Sequence, residues 1–410
     1  MKILLINNFH YRKGGSETVY FNMARILAEH GHQVVFFSCE SEQNQSEGAN
    51  RFFVKSNTSL PMWKGALRYI YNLEEQQSLS QLIAEERPDI AHIHLFWGGL
   101  STSILDTLRQ HRIPIVHTVH DYRIVCPAYT FRRNDGTICE ACKGGKFYNC
   151  AQNRCSRGSI VQSLLMTAEM YLRNEWHKAV SKIDGLVFVS NFAHRKHIEC
   201  MPQLSLTRSI VSYNTASALD PQFISQKRGN YFLFFGRLSS EKGIKTLIEA
   251  FADLEGLQLK IVGTGPEEEA LKQYIAQHGS RSEVEFVGYR NGDALKELIR
   301  DASFVVVPSE WYENNPMTII EAYTAGIPVI GAKIGGIPEI IDEGQTGYLF
   351  EPGNVEQLRG AILQATQLSD ADYTTMSNAA RKFAAENFSE ERSYDNIINL
   401  YNSIINDYER

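Results

Sequence analysis

The segment Pro308–Glu339 reads PSEWYENNPMTIIEAYTAGIPVIGAKIGGIPE. It holds two carboxylates, Glu313 and Glu321, with a helix start between them. Asn315 suits the N-cap, and Pro316 suits the first helical position, where a missing N–H costs nothing. Thr318, Ile319, Ile320 and Glu321 continue the helix until Gly326 and Pro328 end it. Glu313 then falls in the loop before the helix, and Glu321 lies about a turn and a half inside it. The unpaired N–H groups around Asn315, Met317 and Thr318, with the positive end of the helix dipole, make an anion site between the two acids. Carboxylates accept hydroxyl hydrogens and backbone donors hold phosphate. A ligand carrying both kinds of group is a nucleotide sugar.

On spacing alone, the two glutamates could equally be a solvated loop residue and an exposed helix residue. Their surroundings decide otherwise. Glu313 and Glu321 with seven residues between them, preceded by Pro308-Ser309 and followed by Gly326-Ile327-Pro328 and Gly335-Gly336, resemble the E-x7-E signature of the retaining GT-B glycosyltransferases of family 4. The resemblance implies an α/β chain with the GT-B fold, two Rossmann-like domains facing a central cleft. It also implies sugar transfer from a nucleoside diphosphate with retention at the anomeric carbon.

The rest of the composition agrees. A chain of 410 residues is too long for one ordinary core, so two domains are expected. A net charge of −6 does not suggest nucleic acid as a partner. No apolar run approaches the ~20 residues needed to span a bilayer. Met1–Ile6 reads as a first strand rather than an export signal, because Asn7 and Asn8 interrupt it. The expectation is therefore a cytoplasmic protein, peripheral on the inner membrane face at most, whose seven cysteines stay reduced.

In the N-terminal half, apolar runs at Lys2–Asn7, Gln33–Ser38, Pro88–His94, Pro114–Thr118 and Gly185–Ser190 read as parallel strands. A helix is expected over Glu17–His30, with the Gly14-Gly15 turn ahead of it. The family resemblance makes Gly15 a donor contact. Thr118-Val119-His120-Asp121 resembles the family's T-x-H-D segment, which implies that His120 meets the donor sugar. His94 ends a neighbouring strand and is assigned to the acceptor side. Pro61–Ala84 mixes Trp63, Leu67, Ile70 and Tyr71 with Lys64 and Arg68, either as an ordinary one-faced helix or as a surface for a membrane or lipid-linked acceptor. Ser159–Lys182 is expected as one long amphipathic helix.

Between them lies a cysteine-rich loop, residues 126–155, dense in arginine and lysine. Cys139, Cys142, Cys150 and Cys155 are four thiolates in a short loop, a donor set for a structural zinc ion. An iron–sulfur cluster, redox-active thiols or plain unpaired cysteines stay open beside that reading.

In the C-terminal half, the apolar strand Tyr231–Phe235 delivers Gly236-Arg237-Leu238 and then Lys242-Gly243. A guanidinium and an ammonium at the mouth of a sheet can neutralise a diphosphate. The G-R-L-x-x-x-K-G pattern matches the family's phosphate-binding pair, implying that role for Arg237 and Lys242. Gly263-Thr264-Gly265-Pro266 is an incomplete dinucleotide fingerprint, so Gly263 is read as wall of the nucleotide pocket. By resemblance, Tyr289 and Arg290 lie where the base is held, and Glu321 binds the ribose. Asp370-Ala371-Asp372 is read as a helix start. From Ser389 on, Tyr394, Ile397, Ile398, Tyr401, Ile404 and Ile405 make one apolar helix face.

These signals divide the chain into an acceptor-binding domain (1–212), a nucleotide-sugar domain (213–388) and a terminal helix (389–410) that returns to the first domain. His120, Glu313, Arg237 and Lys242 would carry the chemistry, without a catalytic metal. The partners would be a nucleoside-diphosphate sugar and a glycan or lipid-linked acceptor. A sugar-nucleotide-binding protein without catalysis, or a dinucleotide-dependent oxidoreductase, would fit less of the pattern.

Overall fold

A computed structural model describes residues 1–57, 65 and 68–408. The chain forms two compact units, Met1–Tyr213 together with Glu390–Arg410, and Asn214–Ser389. Each is built around its own six-stranded parallel sheet.

The first sheet contains β1 (Lys2–Ile6), β2 (Gln33–Phe37), β3 (Ile90–Ile93), β4 (Ile115–Val119), β5 (Gly185–Phe188) and β6 (Arg208–Val211), in the order β2-β1-β3-β4-β5-β6. The β3, β4 and β5 strands are wholly buried, which is why they read as continuous apolar runs rather than alternating ones. The second sheet contains β7 (Phe232–Phe235), β8 (Gln258–Val262), β9 (Glu283–Gly288), β10 (Phe304–Val307), β11 (Val329–Ala332) and β12 (Gly347–Phe350). Its order is β12-β11-β10-β7-β8-β9. The direction of winding reverses between β7 and β10, and such a switch point opens a crevice at the strands' carboxyl ends.

The terminal helix, Glu390–Tyr408, belongs to the first unit. Its Ile397, Leu400, Tyr401 and Ile404 share one core with Ile3, Leu5, Tyr20, Leu27, Ile90, Val116 and Val187. A Cβ on Gly185 would meet the Ile404 side chain at 2.7 Å, so the helix lies directly on β5. Polar contacts fix its register. His92, buried in β3, bonds the Tyr401 hydroxyl at 2.5 Å through Nδ1 and the Thr118 hydroxyl at 2.6 Å through Nε2.

One expectation is corrected here. The single helix over Ser159–Lys182 is instead a helix at Ile160–Tyr171, a wider turn at Leu172–Trp176 and a short 3-10 turn at Ala179–Lys182. The break follows from Arg173, buried against the Trp97 ring at 4.0 Å, and from Lys178, whose φ of 46° no continuing helix allows. In the Pro61–Ala84 stretch, Pro61, Trp63, Lys64 and Leu67 lie outside the described residues. The helix that follows runs from Leu73 to Glu86, capped by Asn72, whose Oδ1 accepts from the Glu74 N–H at 3.0 Å. The Asp370 segment is a helix start, with Ser369 Oγ accepting from the Asp372 N–H.

Because Ile404 fills the first unit's core from the far end of the chain, Ile404→Ala should destabilise that unit by about 3 kcal/mol. Calorimetry should show one unfolding transition moving down while the transition of Asn214–Ser389 keeps its temperature.

Candidate functional site

At the second unit's switch point, two loops meet. One leaves β7 through the exposed Arg237 and a 3-10 turn, Ser240–Lys242. The other leaves β10 at Pro308. Lys242 Nζ donates to Glu313 Oε1 at 2.7 Å, and the Ser309 hydroxyl donates to the same oxygen at 2.7 Å. Glu313 is 6% exposed. Burial alone would push its carboxyl up, but the Lys242 charge and hydrogen bond outweigh that and hold it below the usual range. The ammonium also lies over the Trp311 ring, 5.4 Å from its centre.

Close backbone packing sets these loops. Gly335 has a φ of 63°, and a Cβ there would come within 2.2 Å of the Glu313 carbonyl oxygen. The Gly336 N–H donates to that carbonyl at 2.7 Å. Gly263, after β8, is likewise constrained: its φ is 136°, and a Cβ would stand 1.9 Å from the Gly236 carbonyl oxygen. Any larger residue at Gly263 would displace the loop that carries Arg237.

The helix between the acids runs from Met317 to Ala325, and Gly326 in the left-handed conformation ends it. Its N-cap is Pro316, not Asn315 as the sequence suggested. Asn315 is engaged elsewhere. Its Oδ1 accepts from the Asn214 N–H at 2.8 Å, and its backbone carbonyl accepts from Asn214 Nδ2 at 2.9 Å. Met317 and Thr318 are partly exposed at the helix start, where first-turn N–H groups have no helical partner. Glu321 lies four residues further on, partly covered, and burial pushes its carboxyl up to about 7. Tyr289 is 62% exposed just beyond β9, and Arg290 Nη1 donates to the Tyr289 carbonyl at 2.8 Å.

In the first unit, His94 and His120 follow the carboxyl ends of the neighbouring strands β3 and β4. Their rings stack 5.1 Å apart, and His94 Nδ1 and His120 Nε2 are 2.9 Å apart. Burial depresses both, His120 to about 3, so two neutral imidazoles share one proton. The sequence assigned the two histidines to different ligands. The structure brings them into contact. Gly15 is exposed at the start of the helix Gly15–Glu29, beside a residue the sequence reading passed over. Glu17 is 3% exposed, and burial pushes its carboxyl up. Ser309 was also passed over as a partner of Glu313; its spacing four residues ahead of that acid was the available signal.

The cysteine-rich loop gathers Cys126, Cys142 and Cys150 inside, with Cys139 and Cys155 partly covered. Among the described residues, no group of three or more His, Cys, Asp or Glu side chains is placed so as to hold a metal ion. The thiols are nonetheless neighbours: Cys150 and Cys155 are hydrogen-bond partners, and Cys126 and Cys142 lie near enough to act on Cys150, while no step is routed through a metal. Among the described residues, no helix is long and apolar enough to cross a membrane.

Two family models match the chain, "Glycosyltransferase Family 4" over residues 13–203 and "Glycosyl transferases group 1" over residues 217–383. The N-acetyl-alpha-D-glucosaminyl L-malate synthase of Bacillus anthracis is 24% identical over 401 residues, covering 96% of this chain and 95% of that protein. Sucrose-phosphate synthase from Thermosynechococcus elongatus superposes with a TM-score of 0.70 at 18% identity, over 98% of both chains. The HepE protein of Anabaena, solved with UDP-glucose, does so with a TM-score of 0.65 at 19% identity, over 98% of this chain and all of that one.

Two measurements check the site's energetics. Lys242→Met leaves a buried carboxylate without its counter-charge, so the second unit should lose about 3 kcal/mol in denaturant unfolding, most of it restored by adding Glu313→Gln. Glu321 has a folded pKa raised above its unfolded value near 4.5, so the folded state holds a proton that the unfolded state releases. Its contribution to stability must fall as pH rises from 4.5 through about 7. Glu321→Gln should match the native chain at pH 4.5 and exceed it by about 2 kcal/mol at pH 8, a figure reduced for partial exposure.

Proposed function

The chain belongs to the glycosyltransferases of group 1 and family 4, GT-B in fold, and from that premise we propose that it is a retaining enzyme moving a sugar from a nucleoside diphosphate to a hydroxyl of a glycan or lipid-linked acceptor. The observation that carries this reading is the Lys242–Glu313 pair at the switch point, beside Arg237 and an open helix start. Cleaving the donor's anomeric C–O bond sends its electron pair onto the diphosphate. Arg237, the Lys242 ammonium and the N–H groups of Met317 and Thr318 would neutralise that charge. Lys242 is already held by Glu313, so its charge needs little reorganisation.

Glu313 orients the sugar. Its carboxylate is held down by an ammonium and a hydroxyl on one oxygen, which makes it a weak nucleophile but leaves a second oxygen to accept a sugar hydroxyl. Glu321 accepts from the ribose hydroxyls, most strongly when ionised. His120 contacts the sugar or its leaving oxygen, with His94 sharing its proton. Retention then follows from attack on the donor's departing face, without a covalent intermediate on Glu313.

Titration calorimetry with UDP-, GDP-, ADP- and dTDP-glucose should find one nucleotide class that binds. UDP-glucose is the first to try, given its presence in the Anabaena structure. Arg237→Ala should weaken that binding by about tenfold to a hundredfold, the loss of one charge-assisted hydrogen bond set. Proton NMR of the product should show the donor's anomeric configuration. Binding of a nicotinamide dinucleotide in place of all four sugars, or an inverted product, would overturn the proposal.

A further inference from the structure

The short helix Tyr148–Gln152 ends in a way that brings two thiols together. Asn153 caps it, and Arg154 follows in the left-handed conformation, with a φ of 47°. The Cys155 N–H then donates to the Cys150 carbonyl at 3.1 Å, and the Arg154 N–H donates to the Ala151 carbonyl at 3.1 Å. This pair of bonds is the Schellman closure, in which the side chains at its two ends turn toward each other. Here both are cysteine, and their thiols are hydrogen-bond partners.

The contact is held from outside the turn. Thr167 Oγ1 donates to the Phe147 carbonyl at 3.3 Å, and the Tyr171 hydroxyl accepts from the Tyr148 N–H at 3.3 Å. Beyond the turn, the Ser156 N–H donates to Ser163 Oγ at 3.0 Å. All three partners belong to the helix Ile160–Tyr171, so one element fixes the chain near both cysteines. Backbones joined by a hydrogen bond in this way lie within the reach that a disulfide spans.

The five thiols of residues 126–155 are not equivalent. Cys126 and Cys142 are buried, and Cys126 is occupied by the N–H groups of Ala128, Thr130 and Phe131. Cys139 bonds the Arg133 guanidinium. Cys150 is 1% exposed, whereas Cys155 is partly open to solvent and feels the Arg133 charge. An accessible thiol in basic surroundings, with a covered thiol against it, is the arrangement of an attacking and a resolving cysteine.

We propose that Cys150 and Cys155 form an oxidation site, which hydrogen peroxide converts to an intramolecular disulfide. The Cys155 sulfur attacks one peroxide oxygen, the O–O bond breaks, and a sulfenic acid forms with release of water. The Cys150 sulfur then attacks the sulfenic sulfur. The S–S bond forms, the S–O bond breaks, and the hydroxide leaves as water with the Cys150 proton. Two thiols are oxidised, one peroxide is reduced, and two waters complete the balance. A thiol reductant reverses the reaction. The site does not depend on which sugar or acceptor the enzyme uses.

The test treats the full-length native chain with hydrogen peroxide, alkylates the remaining thiols and digests it with trypsin without reduction. Trypsin cuts after Lys146, Arg154 and Arg157, and so between the two cysteines. The disulfide should hold peptide 147–154 to peptide 155–157, and dithiothreitol should separate them. Thiols titrated in denaturant should fall from seven to five, the two in the bond being lost. Cys150→Ser should stop at the sulfenic acid, trapped by dimedone on Cys155. Cys155→Ser should consume thiols more than about tenfold more slowly. The peptide map is read on the native chain, so it stands whether or not a variant folds. A bond confined to peptide 134–143, which holds both Cys139 and Cys142, would overturn the proposal. So would a native chain that keeps all seven thiols, or one whose thiols hold zinc and react with peroxide only after a chelator removes it.

Discussion

A buried carboxylate and a partly covered ammonium, Glu313 and Lys242, tie the two loops of the second unit's switch point together. Desolvating either charge alone costs several kcal/mol, so neither loop can hold its position without the other. The loop after β7 therefore fixes the loop after β10, and Ser309 and the Gly336 N–H fix Glu313 from the remaining sides. Gly335 and Gly263 follow from the same closeness, because the backbones touch where their side chains would be. A site assembled this way presents a pre-formed charge pattern. Burial favours the protonated form of its second acid, Glu321, more than water would.

The first unit uses neutral groups at the equivalent strand ends. His92, His94 and His120 form a stack in which the central ring lies 4.9 and 5.1 Å from its neighbours. Burial keeps them uncharged, so their hydrogen bonds are set by tautomer rather than by titration. With two neutral rings joined through His94 Nδ1 and His120 Nε2, only one can donate, and the choice decides whether His120 offers its far nitrogen as a donor or an acceptor.

Much of this was legible in the sequence, for identifiable reasons. Buried parallel strands announce themselves as unbroken apolar runs, and the five runs placed in the first half, with Tyr231–Phe235 in the second, are strands within two residues at their ends. Glu313 and Lys242, read from separate motifs, do meet in space, with Nζ and Oε1 2.7 Å apart. What escaped was non-local. Nothing near Asn315 shows that Asn214 will occupy its side chain, so the cap was placed one residue early. Nothing near Ser159 shows that the inward face of its helix is the polar one, so a long amphipathic pattern was read across a break.

The terminal helix has a consequence for how the chain is made. The second unit is contiguous and has all its strands once Ser389 is out of the ribosome. The first unit is not. Its strands are synthesised early, but the groove over Ile3, Leu5, Ile90 and Val187 stays uncovered until Leu400, Tyr401 and Ile404 emerge. At ordinary elongation rates that interval is roughly ten to forty seconds. During translation the order of completion is thus the reverse of the order of synthesis: the half begun last has its whole sequence first.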